Sequence, residues 1–169
     1  NANIIRTSWV YSEYGNNFVS SMLKLGKEQS EISVVSDQIG SPTYATDLAG
    51  AILEIINNKK FRTKDNKTEI YHYSNDGEIS WYDFAKEIFK IAKVDCKVNP
   101  ILTKHYPMPT KRPINTAMSK ERIKLNYGLN MIHWKCSPLY LVVCFIPFYK
   151  FRYTIFNVGV WLKPCQIFK

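Results

Sequence analysis

The sequence predicts an α/β fold, and three observations lead there. Short runs of apolar and β-branched residues at positions 4–10, 32–35, 70–73 and 98–101 read as strands. Segments whose apolar residues return at helical spacing stand between them. Gly, Pro, Asn, Asp and Ser gather at the joints. Strands alternating with helices are the pattern of a sheet covered by helices.

The elements follow in order. The apolar run 4–10 predicts a buried strand, and because it starts within a few residues of Asn1, with no initiator Met, a longer protein is expected upstream. Asn16 or Asn17 can cap a helix carrying Phe18, Met22 and Leu25 at i, i+4 and i+7, which Gly26 should end or loosen. The strand 32–35 precedes a turn-rich loop, 37–43, and Thr46 or Asp47 then caps a helix with Leu48, Ile52 and Ile55 inward. A polar loop spans 57–67 and a strand 70–73. The run Ser80-Trp81-Tyr82-Asp83 is close to a capping box, with Asp in place of the usual Glu, and predicts a helix bearing Phe84, Ile88 and Ile91. After the strand 98–101 comes a proline-punctuated stretch, 106–113. Ser119 caps a last short helix, which Gly128 should close in the left-handed conformation with Leu129 as its apolar contact.

Composition narrows the function. At 169 residues and 46% hydrophobic the chain can bury one ordinary core. The net charge of +9 would suit nucleic acid, but residues 136–169 carry four basic residues and no acidic one, so much of the excess sits in that tail. In residues 1–135 the basic residues are scattered among acids and the aromatics take apolar positions, which argues against a nucleic-acid surface and fits an anionic phosphate ligand. Cys96, Cys136, Cys144 and Cys165 have no Cys-x-x-Cys spacing and read as reduced thiols. His72, His105 and His133 share no metal-ligand spacing, so no metal site is assigned. No secretory leader pattern is present, and a cytoplasmic location is expected.

Residues 136–169 change character, with nine aromatics and no sustained period. Their uncharged run, 136–149, holds Pro138 and Pro147 and falls short of the roughly 20 apolar residues of a membrane span. The division expected is therefore 1–135 as the folded region and 136–169 as an apolar basic tail, out of frame or disordered, that adds nothing to the fold.

Six short motifs in register carry the functional reading: Arg6-Thr7-Ser8-Trp9-Val10-Tyr11, Gly15-Asn16-Asn17-Phe18, the loop from Asp37 to Tyr44, Asp47-Leu48-Ala49, Ser80 to Ala85, and Arg112-Pro113. In this order the chain resembles the C-terminal half of the dTDP-4-dehydrorhamnose reductases, extended short-chain dehydrogenases, from about residue 4 to residue 134. The resemblance implies the C-terminal part of an NAD(P)-binding Rossmann-like enzyme with its substrate-binding subdomain. It implies reduction of the C4 ketone of dTDP-4-dehydro-rhamnose by NADPH or NADH, for cell-surface polysaccharide. Family members place a Gly-rich phosphate-binding turn and a Tyr-x-x-x-Lys proton donor upstream of the counterpart of Arg6, and this chain contains neither. No catalytic residue is assigned, and the isolated chain is expected to be inactive. Some members are linked to Mg²⁺ near a subunit interface, so Mg²⁺ and a homodimer of the complete enzyme belong to what the resemblance implies. No ligands for the ion are assigned here.

Tyr82 and Lys86 have the Tyr-x-x-x-Lys spacing, but they follow a cap, share a helix with Phe84 and Ile88, and stand after the segment that the catalytic pair should precede. Trp9, at a strand end, could cover the sugar or the base, or simply pack. Thr7 and Ser8 would lie near the nicotinamide, or bond neighbouring backbone. Asn17 could offer its amide and the helix N–H groups to a phosphate, or cap the helix. Gln38, Pro42 and Thr43 suit a thymine edge, and Arg112, fixed before Pro113, suits a forked bond to the diphosphate. The competing readings are a nucleotide-sugar epimerase or dehydratase, which shares the phosphate-binding logic, a non-catalytic regulatory binding subunit, and a membrane-tethered protein.

Overall fold

The computed structural model describes residues 2–63, 68–106, 110 and 112–137, without the side chains of Arg62 and Thr63. In chain order the elements are β1 (Ala2–Arg6), β2 (Val10–Tyr11), α1 (Phe18–Glu28), β3 (Glu31–Val35), β4 (Ile39–Gly40), β5 (Thr43–Tyr44), α2 (Ala45–Asn57), α3 (Lys59–Thr63), β6 (Thr68–His72), β7 (Ile79–Ser80), α4 (Trp81–Ala92), β8 (Lys97–Ile101) and α5 (Glu121–Tyr127). Short 3₁₀ turns stand at Thr103–His105 and Trp134–Cys136.

The fold is mixed α/β, built largely on parallel strand pairs. β1 pairs with β6, placing Ile4 beside Ile70, and β3 pairs with β8, placing Val35 beside Ile101. β2 and β5 form a further parallel pair, whereas β4 and β7 are antiparallel. Parallel neighbours require crossovers, and here the intervening helices supply them.

Two apolar clusters result. In one, α1 and α4 lie against the β3–β8 pair, burying Val19, Leu23, Ile32, Phe84, Ile88 and Phe89. In the other, α2 and α5 cover β6 through Ile55, Tyr71, Ile123 and Tyr127. Asn75, fully buried, sits beside the second cluster. Its Oδ1 accepts from the Tyr44 N–H at 2.7 Å, and its Nδ2 donates to Asp47 Oδ2 at 2.6 Å and to the Ile132 carbonyl at 3.0 Å. Two distant segments, the start of α2 and the stretch at Ile132, are thereby tied to one side chain, and a buried amide is satisfied.

The structure refines several expectations. Asn17 caps α1 in a full capping box: its Oδ1 accepts from the Ser20 N–H, and Ser20 Oγ accepts from the Asn17 N–H. Gly26 neither ends nor loosens α1, which runs on to Glu28. A β-carbon at Gly26 would stand 2.8 Å from the Phe89 ring and from Val94, so this glycine permits the close contact of α1 with α4. Helix α2 starts one residue earlier than Thr46, after Tyr44, with no side-chain cap, and Asp47 lies in its first turn. Ser80 caps α4, accepting from the Asp83 N–H at 3.0 Å. Gly128 closes α5 at φ 70°, and Leu129 behind it is buried.

The predicted strand 4–10 is split. Trp9 takes a left-handed backbone at φ 48°, which ends β1 before Trp9 and starts β2 after it. Nor is β1 buried on both faces: Ile5 and Tyr71 face the cluster under α2 and α5, whereas Ile4, 48% exposed, and its neighbour Ile70, 37% exposed, lie on the other face, which no described element covers. Cys136 and Ser137, expected in the tail, belong to the packed body. Ser137 is buried and its hydroxyl donates to Asp47 Oδ2 at 2.7 Å. The rest of the expected tail, 138–169, lies outside the described residues, as do positions 107–109 and 111 of the proline-punctuated stretch.

Candidate nucleotide-sugar site

The cap at Ser80 sets the direction of α4, and with it the position of Trp81 in the first helical turn. The Trp81 ring is stacked on that of Trp9, with centroids 3.4 Å apart and planes 10° from parallel. Phe18, at the start of α1, leans on Trp81 at 4.4 Å. The left-handed backbone at Trp9 is held by pairing on its carbonyl, which accepts from the Thr43 N–H at 3.1 Å. On β4 a β-carbon at Gly40 would come within 2.6 Å of the Trp9 ring and 2.7 Å of Thr116 Oγ1, so glycine is what leaves the indole its place.

Two cavities open beside this aromatic stack. One, about 310 Å³, is lined by Trp9, Gln38, Trp81, Arg112, Pro113 and Thr116. The other, about 420 Å³ and more apolar, is lined by Phe18, Met22, Leu25, Trp81 and Tyr106 together with Gln38 and Arg112. Gln38, Trp81 and Arg112 are common to both. Residues 114–116, which follow Arg112 and Pro113, are anchored to β4 by the bond from the Ile39 N–H to the Ile114 carbonyl and that from the Thr116 N–H to the Ile39 carbonyl. Arg112 is exposed and makes no hydrogen bond or ion pair with any described residue, which leaves its guanidinium donors for a ligand.

Of the residues expected from the sequence, the structure brings Trp9, Gln38 and Arg112 to one place. Pro42 and Thr43 are fully buried behind it. Thr43 Oγ1 donates to the Ser8 carbonyl at 2.7 Å and accepts from Thr7 Oγ1 at 3.3 Å, while Ser8 Oγ donates to the Ser41 carbonyl at 3.1 Å. These bonds knit the strand end to the 41–43 loop. Asn17 stands off the cavities, with its amide engaged by the cap and by the Ser12 carbonyl at 2.8 Å. Trp81 stands in the Ser80 to Ala85 motif, but nothing local to it in the sequence points to its place beside Trp9.

Tyr82 and Lys86 lie elsewhere. The Lys86 ammonium sits 4.8 Å over the Tyr82 ring and 3.6 Å from Asp83 Oδ1, beside a surface depression shared with Glu87, Phe89 and Cys96. Among the described residues no group of three or more His, Cys, Asp or Glu could hold a metal ion, and no helix is long and apolar enough to cross a membrane.

The chain is 38% identical over 146 residues to a dTDP-4-dehydrorhamnose reductase of Sinorhizobium fredii, covering 84% of this chain and 49% of that one. It is 41% identical over 132 residues to the spore coat polysaccharide biosynthesis protein SpsK of Bacillus subtilis, covering 78% of this chain and 44% of that one. It overlays the crystal structure of the dTDP-4-dehydrorhamnose reductase of Bacillus anthracis in complex with NADP at a TM-score of 0.71 and 42% identity, covering 83% of this chain and 47% of that one. The chain thus spans about half the length of these relatives. Residues 1–139 match the RmlD substrate binding domain, and the chain belongs to that family.

Proposed function

We propose that this chain is the sugar-nucleotide grip of a dTDP-4-dehydrorhamnose reductase, which as a complete protein reduces the C4 ketone of dTDP-4-dehydro-rhamnose with NAD(P)H for polysaccharide synthesis. The observation that carries the reading is the convergence on adjoining cavities of Gln38, Trp81 and an Arg112 that has no partner among the described residues. A guanidinium can fork onto two diphosphate oxygens, an amide can read a base edge, and the indoles supply an apolar flank for base or sugar. Pro42 and Thr43 support the loop behind, Thr7 and Ser8 border the side where the nicotinamide would approach, and Asn17 fixes the start of α1.

The dinucleotide itself does not fit this chain alone. Its seven glycines include no Gly-x-Gly pair that could wrap a pyrophosphate, and the Thr7 and Ser8 hydroxyl protons are engaged by the 41–43 loop. Hydride delivery and protonation of the ketone oxygen therefore belong to the rest of a complete reductase, with Tyr82 and Lys86 playing no part. Titration of the 169-residue chain with dTDP tests the reading: saturable binding competed by a dTDP-sugar is expected, together with no substrate-dependent oxidation of NADPH. Absence of dTDP binding would contradict it.

A further inference from the structure

Gln38 is 7% exposed, yet it lines both cavities, so the direction its amide faces decides what a ligand meets there. That direction is determined from behind. Asp37 Oδ1 accepts from the Thr103 N–H at 2.9 Å and from Thr103 Oγ1 at 2.6 Å. The Thr103 hydrogen bonds hold the Asp37 carboxyl below its ordinary range, so it is a carboxylate and acts only as an acceptor. The single hydroxyl proton of Thr103 must therefore point at Asp37, and the hydroxyl oxygen is left to accept. Its partner at 3.1 Å is the Gln38 Nε2 donor, the only one of the two amide atoms that can fill that position. With the –NH₂ end so fixed, the Gln38 carbonyl oxygen is the free end, and it makes no hydrogen bond to any described residue.

We propose that Thr103 is a positioning residue for base selection: oriented by Asp37, it holds the Gln38 amide with its oxygen presented to an imide N–H, so that the site takes a 2,4-dioxopyrimidine and refuses cytosine. Thymine and uracil carry a hydrogen on N3, which Gln38 Oε1 can accept. Cytosine carries a lone pair there, which would face the same oxygen unpaired, and a buried unpaired acceptor is the usual source of strong rejection. This inference rests on the sugar-nucleotide reading above and adds the group that gives that site its preference.

The test is a titration of the full chain with dTDP, dCDP and N3-methylated dTDP, in wild type, Thr103→Val and Thr103→Ser. Wild type should prefer dTDP over each of the other two by at least about tenfold, the discrimination of one hydrogen bond. Thr103→Val removes the acceptor that fixes the amide, so the preference should fall to within about threefold, with dCDP binding tighter than before. Thr103→Ser keeps the hydroxyl and should keep the preference, which separates orientation of Gln38 from a general loss of structure. Equal binding of dTDP and dCDP by wild type, or an unchanged preference in Thr103→Val, would overturn the inference while leaving the sugar-nucleotide reading intact. Failure of every nucleotide to bind wild type would overturn both.

Discussion

Trp9 and Trp81, 72 positions apart in the chain, lie ring on ring with centroids 3.4 Å apart. Such a pair adds about 0.5–1.5 kcal/mol beyond the area it buries, and its position depends on Gly40. In Gly40→Ala the added carbon meets the Trp9 ring at 2.6 Å, so the indole must move. The expected outcome is loss of the exciton couplet of stacked indoles in circular dichroism, with destabilisation of about 1–3 kcal/mol as for other overpacked sites. An unchanged couplet would mean that the stack tolerates the carbon.

At the α1–α4 contact, Gly26→Ala sets two effects against each other. Helix propensity favours alanine by about 1 kcal/mol. The β-carbon, however, would sit 2.8 Å from both the Phe89 ring and Val94, inside the core. Overpacking of this kind costs about 1–3 kcal/mol, so net destabilisation is expected in urea unfolding, and a stabilised variant would contradict the contact.

Ser137 marks where the packed body is still continuous. Removing residues after Lys135 takes away the hydroxyl that donates to Asp47 Oδ2 and lies near Asn75. A buried group left without its partner costs about 1–3 kcal/mol. Truncation after Lys135 should therefore lower the thermal midpoint, and truncation after Ser137 should not. Equal midpoints would show that Ser137 contributes nothing.

His133 gives stability a pH dependence. Burial, followed by the positive charge of Lys135, holds its imidazole below the ordinary value, and its Nδ1 accepts from the Lys135 N–H, a role open only to the neutral ring. In an unfolded chain histidine titrates near roughly 6.5. Below that pH the unfolded state binds the proton more readily, so stability falls as the solution is acidified from about 6.5 towards the folded pKa and is recovered as pH rises. His133→Gln should flatten this slope. An identical slope in the variant would exclude His133 as its source.

How much of this was legible in sequence depended on whether the cause was local. The caps at Asn17 and Ser80, the stop at Gly128, and the strands at 32–35 and 98–101 were readable because each is decided by neighbours a few residues away. The two-residue strands β2, β4, β5 and β7 are too short to express a period, and they form only because partners arrive from elsewhere in the chain. Gly26 looked like a helix stop because its partner, Phe89, stands on another helix. In the site, Gln38 and Arg112 were identifiable as chemistry-bearing residues in turn-rich segments. The link from Gln38 to Thr103, 65 positions on, and the pairing of Trp9 with Trp81 are tertiary facts without a local signature.

The central claim is that Arg112 grips the diphosphate of a dTDP-sugar, and calorimetric titration of dTDP into wild type, Arg112→Ala and Arg112→Lys tests it most directly. Loss of a charge-assisted bond should weaken binding in Arg112→Ala by about 1.5–3 kcal/mol. Arg112→Lys should recover only part of that, because a point charge cannot reproduce the fork. The thermal midpoint of both variants should match wild type, since Arg112 is exposed and bonded to no described residue. Undiminished dTDP affinity in Arg112→Ala would contradict the account.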